Sequence, residues 1–397
     1  MITKIKSYFS GLSKNTFLLA LSSMFADIST EMLYPILPIY LTQYLKANGS
    51  LIGLIEGIAQ ATQNIIQGVS GHFADKFQKR KTIALFGYTL SAISKPFIGV
   101  FTAWPGVMAA RVSDRLGAGS RSAPRDAMVA ESVEEKHRGK AFGLEGIGDN
   151  LGAFVGPLIT IGLFFILKFE IRYIFYLAVI PGLLAVFMVF FVKEKNTAHE
   201  KSKIDITMAK FPTAYWKYLL VIALFGIGNS SNSFLILQIK EKGVPLVYTV
   251  LIYAFYNLMA ALISYPAGSL SDKVGRKPML LISFIVFLIA YAGFAFSPNL
   301  YVLGTLFIFY GIFQGIFRSV GKSLATDFVP AKIRASSIGW YSTTVGLSGL
   351  LASIVAGLLW DHVSHDAVFI YGTVFSFLGI IALVIFIPGK RNEHPSK

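Results

Sequence analysis

Runs of apolar residues recur along the chain at nearly even intervals, separated by short polar segments. Each run is long enough to be read as a helix crossing a lipid bilayer, which needs about 20 residues. The pattern predicts twelve spans, near 16–43, 50–71, 82–102, 105–130, 140–167, 171–192, 216–239, 245–268, 279–297, 300–327, 336–360 and 368–388. The alternating pattern of a membrane barrel is absent, and in lipid a backbone without water must satisfy its own polar groups as helix. The expected fold is an all-α integral membrane protein. Span 4 is the least apolar, carrying Arg111, Asp114, Arg115, Arg121, Arg125 and Asp126. It is kept because its repeat partner, span 10, is apolar through residues 307–317, and because omitting it would put two matching loops on opposite sides.

The spans come in two related sets of six. Gly71, Asp75, Lys76, Arg80 and Lys81 follow span 2, and Gly268, Asp272, Lys273, Arg276 and Lys277 follow span 8, with the two aspartates 197 residues apart. Arg138 opens span 5 and Arg334 opens span 11, 196 residues apart, each with a glycine five positions on. Two landmarks at nearly one offset indicate an internal repeat of half the chain, and parallel repeats of six spans are one plan for transporters. The expected domains are residues 1–192, a Lys-rich linker over 193–217, and residues 218–397.

Composition agrees with this reading: 54% of the 397 residues are hydrophobic and 14% are charged, against roughly 25% charged in soluble domains. The formal charge of +15 suggests a nucleic-acid binder until its placement is traced. The termini and the loops after the even-numbered spans hold 24 Lys and Arg, and the opposite side holds five: Lys46, Lys168, Arg172, Lys240 and Lys242. This is the positive-inside pattern, which puts both termini in the cytoplasm. The first apolar run carries Asp27 and Glu31 and lacks a small-residue cleavage site, so it is expected to stay in the mature protein. With no cysteine, disulfides are excluded.

The loops after spans 2 and 8 resemble the Gly-x-x-x-Asp-(Arg/Lys)-x-Gly-x-(Arg/Lys) signature of the major facilitator superfamily. The first copy has Gln78 where the second keeps Gly275. The resemblance covers nearly the whole chain. It implies two pseudo-symmetric six-helix bundles, and a secondary transporter that opens alternately to each face. It further implies that Gly71, Asp75, Lys76, Arg80, Glu131 and Arg138 in the first half, and Gly268, Asp272, Arg276, Asp327 and Arg334 in the second, form cytoplasmic latches. An ordinary solvated surface is the alternative, at about 0–1 kcal/mol per pair. Gly71 and Gly268 are read as points of close helix approach.

Span 4 is similar to a second family pattern, Arg-x-x-Gln-Gly-x-Gly-x-Gly, with Asp114 and Arg115 in place of the glutamine and the first glycine. In span 5, Gly148, Gly152, Gly156 and Pro157 are similar to the glycine–proline signature of the drug and metabolite antiporters. Glycines four apart make a flat stripe for a neighbouring helix, and ordinary packing is the competing reading. The 196-residue offset brings Thr344, Ser348, Ala352 and Ser353 to those places in the second half, small but without the glycines.

Ionisable groups inside a membrane usually face a cavity or a partner. Asp27 and Glu31 lie one turn apart in span 1, on a face with Ser23, Tyr34 and Pro38, and are read as proton-coupling residues. A structural ion pair with Arg111 or Arg115 is the alternative. Span 5 adds Glu145 and Asp149, also one turn apart. Arg111, Asp114, Arg115, Glu145 and Asp149 are grouped with the span-1 acids as a network able to exchange partners when one member is protonated. The polar stripe Glu56, Gln60, Gln63, Asn64 and Gln67 of span 2 is read as bonding across helices, and Lys95 as snorkelling outward.

The resemblance implies that spans 1, 4, 7 and 10 line a central cavity. Candidate substrate-cavity residues are Tyr34, Asn229, Asn232, Tyr256, Asn257, Gln314, Arg318 and Lys322. Arg318 and Lys322, one turn apart, either bind an anionic group or neutralise acids of the first half. Motifs for a zinc protease, a Walker phosphate loop or a dinucleotide site are missing, so no enzyme activity, cofactor or metal is expected. Asp361, His362, His365 and Asp366 are read as a solvated outer turn.

Three functions stay open. The first is a proton-coupled antiporter exporting an amphiphilic drug or metabolite. The second is an organic-anion exchanger or symporter. The third is a non-transporting membrane sensor. The expected setting is a bacterial inner membrane, with the lipid bilayer, a small-molecule substrate and protons as partners, no nucleic acid, and a monomer.

Overall fold

The computed structural model describes residues 11–77, 79–134, 137–194, 211–330 and 333–387; at 71–77, 139 and 335 it describes the backbone alone. Gly71, Asp75 and Lys76 therefore lie outside the residues whose side chains are described, as does most of the expected linker.

All regular structure among the described residues is helical. The first half holds α1 (Lys14–Glu31), α2 (Leu37–Gln43), α3 (Gly49–Phe77), α4 (Arg80–Val100), α5 (Trp104–Glu131), α6 (Arg138–Ile161, continued by a π-turn at Gly162–Ile166), α7 (Ile171–Leu177) and α8 (Val179–Phe190). The second holds α9 (Thr213–Gly228), α10 (Asn232–Glu241), α11 (Leu246–Val274), α12 (Arg276–Phe296), α13 (Leu300–Asp327), α14 (Arg334–His362) and α15 (His365–Phe386). The pairs α1–α2, α7–α8 and α9–α10 each make one interrupted rod, giving twelve rods among the described residues. Nine of these are long and apolar enough to cross a membrane. The three others are α1–α2, α3 and α5, the rods richest in polar and charged groups.

The chain divides into two compact units. One comprises Met1–Ala47, Ile58–Lys203 and Leu246–Ala254; the other comprises Asn48–Gly57, Ile204–Pro245 and Phe255–Lys397. Each unit takes a short stretch from the other half of the chain.

The units share one internal plan. In the first, α1 packs along α6 and α8, and α4 packs along α5 and α8; in the second, α9 packs along α14 and α15, and α12 along α13 and α15. Lipid supplies no hydrophobic drive between helices, so close backbone approach at small residues matters most. Between α4 and α5, a Cβ built at Gly87 would lie 2.6 Å from the Gly117 carbonyl, and one at Gly117 would lie 2.6 Å from that of Gly87. The second unit is held more by aromatic contact: the Phe225 and Phe284 rings stack at 3.9 Å, and Phe287 and Tyr291 at 4.0 Å.

Two interruptions were not legible as such in the hydropathy pattern. Between α1 and α2 the chain turns through residues 32–36, where Pro35 cannot supply the N–H that would bond the Glu31 carbonyl. Between α9 and α10 it breaks at 229–231, with Ser231 capping the new helix by accepting from the Ser233 N–H. The breaks fall about one repeat length apart. Interrupted helices at matching places in the two halves of a transporter point to its binding region.

Candidate transport site

The charge of the first unit is gathered along α5. Pro105 sits in its first turn, where a missing N–H costs nothing, and the helix runs on through 28 residues. Its cations are inside the unit: Arg111 is 1% exposed, Arg115 7% and Arg121 6%.

Asp114, fully buried, is the hub of the first cluster. Its Oδ2 accepts from Arg111 Nη1 at 3.0 Å and lies 3.4 Å from Arg115 Nε. Its Oδ1 accepts from Ser91 Oγ at 2.7 Å and lies 3.2 Å from Lys95 Nζ. Lys95 is thus a buried member of the network and does not snorkel: its ammonium also donates to Ser91 Oγ at 2.9 Å. The physical reason is proximity, since the Gly87–Gly117 approach draws α4 onto α5 and a buried acid offers a better partner than a distant interface. Arg115 Nη1 donates to Gln63 Oε1 on α3 at 3.0 Å, one case of the cross-helix bonding read into that polar stripe.

A second cluster surrounds Arg125. Its guanidinium donates to Asp126 at 2.9 Å and pairs with Glu145 at 2.9 Å and Asp149 at 3.6 Å. Ser23 Oγ accepts from Arg125 at 2.9 Å and donates to Glu145 at 3.0 Å. Asp27, with 30% of its side chain exposed, lies 3.7 Å from Arg121, whose guanidinium sits 4.5 Å from the Tyr88 ring centre. Glu31 accepts from Tyr253 Oη at 3.0 Å. Tyr253 stacks on Tyr34 at 5.5 Å, and Tyr34 lies under Arg111. Asp27 therefore takes its ion pair from Arg121 rather than from Arg111 or Arg115.

The glycine stripe of α6 receives α1. A Cβ at Gly152 would lie 2.9 Å from Asp27 Cβ, and one at Gly156 would lie 2.9 Å from Glu31 Cβ; Gly148 meets the Ala20 carbonyl. The stripe thus sets how closely both acids are held, and Pro157 follows it within the helix. In the second unit the glycine is on the other helix, where Gly226 of α9 meets Ser348 of α14.

The polar centre of the second unit is uncharged. Tyr310 Oη donates to Asn232 Oδ1 at 2.7 Å and to Asn229 Oδ1 at 3.3 Å, and Asn232 donates to Tyr256 Oη at 3.2 Å. The Tyr256 and Tyr310 rings stack at 5.5 Å. Asn257, Gln314 and Lys322 are half-buried and Arg318 is exposed. The structure joins Asn229, Asn232 and Tyr256 into one network with Tyr310, which sequence reasoning missed.

At the other charge clusters, Glu131 pairs with Arg80 and Asp327 with Arg276 at 2.8 Å. Each partner recurs 196 residues on. Asp272 lies 3.7 Å from Arg276, and the Arg138 and Arg334 side chains are exposed. Gly268 is not a point of close approach: a Cβ there would meet only Ser319 Cβ at 3.9 Å, an ordinary contact. The Arg80–Glu131 side chains are 15% and 20% exposed, the Arg276–Asp327 pair 27% and 45%. Arg276→Ala is therefore expected to cost no more than about 1 kcal/mol and Arg80→Ala more, an order that thermal unfolding of the two variants side by side will check.

The turn at 361–366 is not merely solvated. Asp361 accepts from the Gly49 N–H at 2.7 Å, the Ser50 N–H at 2.8 Å and Ser50 Oγ at 2.6 Å, so it caps α3. Anionic groups are favoured at a helix N-terminus, which no local sequence window could reveal. Asp366 accepts from Gln238 at 2.7 Å.

The family model of the major facilitator superfamily matches residues 19–263 and 219–397. The chain belongs to the major facilitator superfamily. It is a multi-pass membrane transporter. An uncharacterized MFS-type transporter of Methanocaldococcus jannaschii is 35% identical over 383 residues, covering 94% of this chain and 95% of that protein. The multi-drug resistance efflux pump PmrA of Streptococcus pneumoniae is 31% identical over 190 residues, 45% of this chain and 47% of the pump. The crystal structure of the nucleoside transporter NupG superposes with a TM-score of 0.77 at 16% identity, covering 95% of this chain and all of that one. In this major facilitator chain, the residues missed from sequence are Tyr88, Ser91, Tyr253 and Tyr310, and Lys95 was read as snorkelling. One signal was available for two of them, since Ser91 and Lys95 lie one turn apart on a helix.

Proposed function

We propose that this chain is a proton-coupled secondary transporter that works by alternating access and exports a small amphiphilic solute. It sits in the plasma membrane with both termini cytoplasmic, its two halves are the moving bundles joined by the linker, and it acts as a monomer. One observation carries the reading: the two mid-span acids of α6 share one arginine, and an acid of α1 beside them holds its own arginine loosely. Asp149 and Glu145 share Arg125, and Asp27 holds Arg121 at a loose 3.7 Å while remaining partly open. Protonating one such acid frees a guanidinium, which then moves to the next. Small changes in a shared-partner network are passed on, because each bond polarises its neighbours. The Arg80–Glu131 and Arg276–Asp327 pairs are assigned as latches that break and reform in each cycle. Export is supported by the partial likeness to an efflux pump and by the α6 glycine stripe.

The test is reconstitution into liposomes with a pH-sensitive dye and a panel of cationic, neutral and anionic solutes. Solute-dependent proton movement is expected from the wild type. Asp27→Asn is expected to abolish it while the protein still inserts and unfolds at a normal temperature. Wild-type proton movement in both Asp27→Asn and Glu31→Gln would exclude coupling through these acids.

A further inference from the structure

We infer that the transported solute carries a carboxylate or phosphate group, received by the Nε–Nη2 edge of Arg115. This rests on the transport reading above and adds the class of solute.

Arg115 is more than nine-tenths buried. Its Nη1 is committed to Gln63 Oε1 at 3.0 Å, which fixes the plane of the guanidinium. Its other two nitrogens, Nε and Nη2, are buried and make no hydrogen bond among the described residues. These two donors lie on one edge of the fork, spaced to meet two oxygens of a carboxylate or phosphate together. Buried donors are normally bonded, and exceptions call for a reason.

Asp114 meets that edge only as a longer ion pair, without a hydrogen bond. It is 3.4 Å from Nε, but its Oδ2 bonds Arg111 at 3.0 Å while its Oδ1 bonds Ser91 and faces Lys95. One carboxylate is thus shared among three cations. Further along α5, Arg121 Nη1 is also buried without a hydrogen bond, and its Nη2 is 3.7 Å from Asp27. Two arginines of one membrane helix each keep unused donors inside the protein. This favours a negative group arriving from outside the chain.

The alternative is that Arg115 only braces α5 against α3 through Gln63. The two readings separate on charge selectivity. Purified full-length protein is tested by thermal shift and by counterflow in liposomes with four probes of similar size: benzoate, phenyl phosphate, benzamide and benzylammonium. Benzoate or phenyl phosphate is expected to raise the unfolding temperature and speed counterflow, with benzamide and benzylammonium inactive. Whichever anion acts stronger distinguishes a carboxylate from a phosphate solute. Arg115→Lys keeps the charge but loses the fork, so anion affinity is expected to fall about 10- to 100-fold. Gln63→Glu retains the arginine and places an internal carboxylate beside it, so it is expected to weaken anion binding without unfolding the chain. Equal responses to benzoate and benzamide, no response to either anion, or unchanged anion affinity in both variants would overturn the proposal. Anion binding that persists when solute-driven proton movement is absent would count against proton coupling and leave this assignment standing.

Discussion

Asp114→Asn is expected to destabilise the first unit by about 3–5 kcal/mol, the cost of removing one member of a buried ion pair and stranding the other. Here three cations are stranded together, Lys95, Arg111 and Arg115, and the carboxylate they share is fully buried. Asparagine still accepts the Ser91 hydroxyl but turns an NH2 toward Arg111, so the charge and the Arg111 hydrogen bond are lost together. Against a total stability of about 5–15 kcal/mol, such a loss separates folded from aggregating protein. Removing one cation as well, in Lys95→Met with Asp114→Asn, is expected to recover part of the loss. Thermal unfolding of the two single variants and the double variant measures the coupling directly. If Asp114→Asn melts with the wild type, Asp114 is not the hub of the cluster.

The second large effect is steric. Gly152→Ala and Gly156→Ala each place a methyl group 2.9 Å from the Cβ of Asp27 or Glu31, with the α1 carbonyl of Met24 nearer still to the first and that of Ile28 2.9 Å from the second. Neither backbone can yield by side-chain rotation, so α1 must move away from α6. Overpacking of this kind costs about 1–3 kcal/mol and carries both acids with it, so solute-driven proton movement is expected to fall further than stability does. The same helix supplies its own control. A Cβ at Gly143 or Gly146 would meet nothing within 4 Å, and Gly146→Ala is expected to be neutral or to stabilise by up to about 1 kcal/mol through helix propensity. Equal transport by Gly146→Ala and Gly152→Ala would show that the stripe does not set the position of the acids.

The candidate site was legible in residue type and less so in pairing. Asp27, Glu31, Glu145 and Asp149 stood out because an acid inside an apolar run is costly wherever it goes. Which cation each would meet was hidden, because that depends on helix rotation and approach. Asp27 pairs with Arg121, and Glu31 is bonded by Tyr253 from a distant stretch of the chain. Lys95 was misread because a lone lysine near a span end snorkels in the absence of a partner, and Asp114 lies on a different helix. Asp361 was misread because the N-terminus it caps is 312 residues away in sequence. Gly268 belongs to a motif, yet the space around it is open.

The sequence by itself determined the helical class and the recurrence of its charged landmarks in both halves. These follow from transfer energies and charge placement that act on each segment wherever its neighbours lie. Tertiary structure alone decided that α1 seats its two acids on the glycine stripe of α6, that Asp114 gathers three cations, and that one edge of the Arg115 fork makes no hydrogen bond among the described residues. Contacts between helices are set by the approach of two surfaces to within a few ångströms, and a one-dimensional pattern holds the surfaces but not the approach.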